Sequence, residues 1–123
     1  RDRAGAANLA DAVVNKRLAA LRERSLEQQI RQDVLNAITN VESSREGVRL
    51  AQIAVDYARK RVEADQKRYD LGVINIFFLL ASQNDLATAE SNLVNQLVNY
   101  RRNLLILQQR LGTLFDERGI VID

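Results

Sequence analysis

The sequence predicts an all-α protein, a long antiparallel coiled-coil-like helical hairpin, and three observations carry that prediction. Proline is absent and only five glycines occur in 123 residues, so little punctuates the chain. Apolar residues recur with a seven-residue period through both halves. Between the halves lies one short reversal segment, Tyr69-Asp70-Leu71-Gly72.

Residues 1–5 (Arg-Asp-Arg-Ala-Gly) read as an irregular lead-in. From residue 6 to 71 there is one glycine and no proline, and the simplest prediction is a single helix. At 1.5 Å per residue it would reach about 100 Å, a length that requires a packing partner throughout. Val34, Val41, Val48, Val55, Val62 and Tyr69 fall on a strict heptad. Three positions after these come Ala37, Ser44, Ala51, Ala58 and then Asp65. β-Branched residues alternating with very small ones let two helix axes approach closely, with the left-handed crossing that a 3.5-residue repeat imposes. Leu18, Leu21, Ile30, Leu35, Ile38 and Ile53 lie off this seam and predict lateral contacts. A fold-back bundle of three or four helices with a break near Gly47 is the competing architecture. An isolated helix glycine costs only about 1 kcal/mol relative to alanine, and no capping residues surround Gly47, so the unbroken helix is preferred.

Residues 72–75 are predicted to form the hairpin tip. Gly72 suits a C′ position that needs positive φ, and Asn75 can cap the next helix with its side-chain oxygen. The second helix is predicted over 76–115, about 60 Å long on the same rise. Its seam is Leu79, Leu86, Leu93, Tyr100, Leu107 and Leu114, with a second set at Leu97, Leu104 and Leu111. Leu80, Val94, Val98, Leu105 and Ile106 widen its apolar arc beyond what a two-stranded coiled coil uses. Gly112 and Gly119 should mark a fraying end, followed by a tail at 116–123 that closes on Ile120-Val121-Ile122.

Composition argues against chemistry. With no histidine and no cysteine, the usual nucleophile–base pairs and most transition-metal ligand sets are missing. The carboxylate pairs Asp56 with Glu63 and Asp116 with Glu117 read as helix-surface and tail charges, so no catalytic, cofactor or metal residues are predicted. The lack of cysteine leaves the redox compartment open. Eighteen basic residues face sixteen acidic ones, and Arg59-Lys60-Arg61 and Lys67-Arg68 are interrupted by Asp56, Glu63, Asp65 and Asp70. That is the pattern of a solvated helix surface, not of a nucleic-acid interface. The longest apolar run, Ile76 to Ala81, is six residues long, well short of the ~20 that a membrane-spanning helix needs. The chain begins at Arg1 with no initiator methionine or signal-peptide core, as expected of a piece of a longer protein.

The phrase Arg68-Tyr69-Asp70-Leu71-Gly72-Val73, followed by an apolar helix start, is joined in order by Asn84-Asp85-Leu86 and Ala89-Glu90-Ser91-Asn92-Leu93. Val98-Asn99-Tyr100 and Leu111-Gly112-Thr113-Leu114 complete the set. This set resembles the TolC-like outer membrane efflux proteins of Gram-negative bacteria over residues from about 30 to 115. The resemblance implies a homotrimeric exit duct in the outer membrane whose subunits carry two repeats of strands plus a helical hairpin, this chain being the periplasmic hairpin of the second repeat. It further implies that the tips dock a periplasmic adaptor (membrane fusion) protein of a tripartite pump with an inner-membrane component. Tyr69, Leu71, Gly72 and Val73 are then the adaptor-docking residues. Where members of the family bear a charged gate, the matching positions read Ile74, Phe78 and Ala81, so any gate here is expected to be apolar. Phe77 and Phe78 are the gate candidates, the other role open to them being packing between helices. Two alternatives to the duct stand: a purely structural coiled coil, and the helical hairpin of a periplasmic adaptor, whose flanks would carry a lipoyl-like β-domain.

Overall fold

The computed structural model describes residues 2–117. Two helices account for nearly all of them, α1 over Asp2–Asp70 and α2 over Ile76–Glu117, packed against each other as a hairpin. The chain divides into two compact units, one of residues 37–107 and one of residues 1–36 with 108–123.

Within the 37–107 unit the predicted seam is present as far as Val62, whereas Tyr69, its last expected member, is exposed. Ala37, Ala51, Val55 and Ala58 are buried on α1, and Leu79 is buried on α2. Val41, Val48 and Val62 are half-buried. Small residues on every other layer allow close approach, and two serines tolerate burial because each satisfies its own hydroxyl. Ser44 donates to the carbonyls of Asn40 (2.8 Å) and Val41 (3.0 Å), and Ser82 donates to that of Leu79 (2.9 Å).

The antiparallel register brings together cross-helix pairs: Arg61 with Asp85, Arg59 with Glu90, and Asn103, whose side-chain amide donates to the Asn40 carbonyl at 3.2 Å. Gly47 belongs to the same set. The helix passes through it unbroken, and a β-carbon there would lie 2.6 Å from Oε1 of Gln96. The missing side chain makes room for Gln96 on the opposing helix, so Gly47 is a packing feature and not the bend that a folded-back bundle would need.

The second row of α2 differs from expectation. The residues that accompany Leu79, Leu86, Leu93 and Tyr100 toward α1 are Ser82, Ala89, Gln96 and Asn103, three positions on, all buried or half-buried. Leu97, expected in that row, is exposed, and only toward the far end do Leu104 and Leu111 become half-buried. Leu80, Val94, Val98 and Leu105 are also exposed, while Ile106 is half-buried.

In the other unit, Ile30 and Val34 are buried, and Leu111, Leu114 and Phe115 are half-buried. Residues 2–29 are exposed throughout, including Leu9, Val13, Val14, Leu18, Leu21 and Leu26. Ile30 therefore joins the heptad row instead of serving as a lateral extra. Residues 2–5, expected as an irregular lead-in, are helical, since Gly5 with open space around it weakens a helix without ending it. Likewise α2 continues through Gly112 to Glu117. Gly119 and Ile120-Val121-Ile122 lie outside the described residues.

Candidate functional site

The corner joining the two helices is built from backbone chemistry first. The Gly72 N–H donates to the Tyr69 carbonyl at 2.9 Å, and the Val73 N–H donates to that of Arg68, also at 2.9 Å. This crossed pair is a Schellman motif with Gly72 at C′. Its φ of 71° is the only positive φ among the described residues, and a side chain there would be strained. Leu71 continues the helical pattern by donating to Lys67 (3.1 Å), although the last α-helical residue is Asp70 and the turn runs over 71–75, not the predicted 72–75. Asn75 then opens α2: its Oδ1 accepts from the Phe77 N–H at 3.0 Å, and its carbonyl accepts from the Phe78 N–H at 3.0 Å. The cap satisfies an N–H that would otherwise lack an intrahelical partner.

Because the backbone closes the corner, the tip side chains have little structural duty, and they point into solvent. Leu71 is 79% exposed, Val73 70% and Phe77 72%. Tyr69 and Phe78 are exposed as well. The structure thus brings Tyr69, Leu71, Gly72 and Val73 together at one corner, with Phe77 and Phe78 on the first turn of α2. Neither phenylalanine packs into the seam of this hairpin, which is filled at that level by Leu79 and Ser82.

Directly below the corner lies a charged cluster that residue-type reasoning treated as plain surface. Asp65 occupies a seam position and is only 6% exposed. A buried carboxylate is costly unless paired, and two arginines of α1 meet it: Arg68 Nη1 at 3.0 Å from Oδ1 and Arg61 Nε at 3.8 Å from Oδ2. Arg61 also reaches across to α2, with Nη1 3.0 Å from Asp85 Oδ2. The ladder Arg68–Asp65–Arg61–Asp85 ties the last turns of α1 to the third turn of α2 below the corner. The sequence signal was present: Asp65 breaks the row of Ala37, Ser44, Ala51 and Ala58.

In the same region, Tyr57, Lys60, Arg61, Ala64, Asp65, Arg68, Ile74 and Phe78 line an open groove of ≈ 590 Å³. A second shallow surface, far from the corner, contains Glu46 and Arg49, paired at 2.6 Å. The hydrogen bond from Arg49 holds the Glu46 carboxyl below its usual value, and Arg49 is raised in return. Both are exposed side chains of a single helix, a surface pair of small consequence. Among the described residues no group of three or more acidic side chains is placed to hold a metal, and no helix is long and apolar enough to cross a membrane.

Two heptad-patterned helices with a glycine corner and an apolar tip place the chain among antiparallel coiled-coil-like hairpins. Residues 4–113 match the family described as outer membrane efflux protein, and the chain belongs to that family of outer membrane channel and transport proteins. Neither the curated proteins nor the solved structures give a significant match.

Proposed function

We propose that the chain forms part of the periplasmic tunnel wall of an efflux channel, as the hairpin of the second repeat in a trimeric parent, and does no catalysis. Its tip docks a periplasmic adaptor that links the channel to an inner-membrane pump. The observation that carries this reading is the corner itself: a Schellman closure and an asparagine cap shape it through backbone hydrogen bonds, yet Leu71, Val73 and Phe77 are presented to solvent. Clustered exposed apolar side chains on a rigid support mark a contact surface. Gly72, without a β-carbon and with open space around it, permits close backbone approach by the partner.

The bore at this end is narrowed by apolar side chains, Phe77 or Phe78, in place of a charged network. Export assays on the full-length subunit test the docking role. Leu71→Asp should abolish export while leaving trimer assembly in the membrane intact, and unimpaired export would remove the tip from docking. Single-channel recording tests the gate: Phe77→Asp and Phe78→Asp each introduce a carboxylate, and conductance and cation block unchanged in both would refute an apolar constriction.

A further inference from the structure

Two rows of charge on α1 lie off the seam that meets α2, with opposite sign and the same spacing. Among residues 1–36, Arg17, Arg24 and Arg31 follow one another at seven-residue steps, and among residues 37–107, Asp56, Glu63 and Asp70 do the same. On a helix each step is about 10 Å. All six side chains are exposed, and no ion pair engages any of them among the described residues. That holds although Glu27 stands within four residues of Arg24 and Arg31, and Lys60 and Lys67 stand four from Asp56 and Glu63. Asp56 and Asp70 accept from the neutral amides of Gln52 and Gln66, contacts that leave their charges uncompensated.

The rows are complementary between copies. In an antiparallel pair, seven residues forward on one helix is seven back on the other, so Arg17 against Asp70 brings Arg24 against Glu63 and Arg31 against Asp56. The same alignment sets Glu42 against Arg45 midway, and two-fold symmetry repeats each of these four contacts with the roles exchanged. No like charges meet along the two rows. A slip of one heptad keeps two of the four pairs, and it sets Arg49 against Arg31 in one direction or against Arg45 in the other. Copies laid parallel and in register would set every charge against itself. The charge pattern therefore selects one orientation and one register, as flanking charges do between coiled-coil partners.

We propose that this face of α1 binds a second copy of the chain in an antiparallel two-fold pair, with Arg17, Arg24 and Arg31 of each copy on Asp70, Glu63 and Asp56 of the other. The inference is independent of the docking role. A trimer about one axis points its α1 helices the same way along that axis, so the antiparallel pair is a contact of free chains and not of the channel wall.

Sedimentation equilibrium of the 123-residue chain tests the pairing. A dimer should form at about 0.01 M salt, where charges act over about 30 Å, and its dissociation constant should rise at least about tenfold at about 1 M, where they act over about 3 Å. Arg24→Glu and Glu63→Arg should each weaken the dimer about tenfold, since each creates like-charged contacts, and the two together should restore it. Arg24→Glu combined with Asp56→Arg, one heptad out of register, should stay weak. All three positions are exposed, and unchanged helix content by circular dichroism confirms that each variant is folded. A chain that is monomeric at low salt, or that forms an assembly other than a dimer, overturns the proposal. A dimer indifferent to salt or to the single reversals also overturns it and assigns association to the exposed aliphatic side chains of residues 2–29. Equal rescue by Glu63→Arg and Asp56→Arg overturns it too, because attraction without register would then suffice.

Discussion

Residues 2–29 and residues 37–70 of α1 are both helical and both rich in aliphatic side chains, yet they differ in what those side chains meet. In the second stretch, Val55 is 2% exposed and Ala51 3%; in the first, Leu9 is 68% exposed and Leu21 59%. Propensity accounts for the helix in both, since neither contains proline. Burial depends on the presence of a facing helix, and among the described residues α2 reaches Glu117. The seam is therefore a property of the pair of helices.

That contrast can be broken at several points. The largest effect is expected at Leu79, 3% exposed at the start of α2: Leu79→Ala should cost about 2–5 kcal/mol in denaturant unfolding, the range for cavity-forming substitutions. Next comes Gly47→Leu, which drives a side chain into the place of Gln96 and should cost about 1–3 kcal/mol by overpacking. Pairing it with Gln96→Ala should recover part of the loss, and no recovery would mean that Gln96 is not what Gly47 accommodates. Gly72→Ala should cost about 1–2 kcal/mol, the penalty for a β-carbon in the left-handed region, with helix content by circular dichroism unchanged. At the other extreme, Leu18→Ala should change the stability of this chain by no more than about 0.5 kcal/mol. A loss like that of Leu79 would show that residues 2–29 are packed in solution and would erase the contrast.

Much of this was legible in the sequence because it depends on short-range rules. The heptad of valines, the small residues three positions on, Gly72 at C′ and Asn75 as a cap are local patterns with direct geometric meaning, and the structure uses each of them. The second row of α2 was not legible in the same way. A count of apolar residues selects Leu97, Leu104 and Leu111, four positions after the seam, whereas the facing helix selects Ser82, Ala89, Gln96 and Asn103, three positions on. Polar and small members of a seam are invisible to hydrophobic periodicity and become visible only when the opposing backbone, here Gly47 and the Asn40 carbonyl, is in place. Asp65 was hidden for a related reason, its burial being tolerable only with Arg61 and Arg68 in position. The tip residues were legible as a corner, but that Leu71, Val73 and Phe77 carry no structural load required the hydrogen bonds to be seen.

The corner's construction has a consequence for how such a protein can diversify. Closure is written into backbone hydrogen bonds and two side-chain identities, a glycine at 72 and an asparagine at 75. Leu71, Val73 and Phe77 stand outside that closure, so they can be exchanged while the hairpin keeps its register, whose cross-helix contacts lie farther down at Gly47, Asn103 and the Arg61–Asp85 pair. Under the docking role proposed above, foldability and partner choice are thereby uncoupled. A lineage could drift to a new partner one tip residue at a time without passing through an unfolded intermediate sequence.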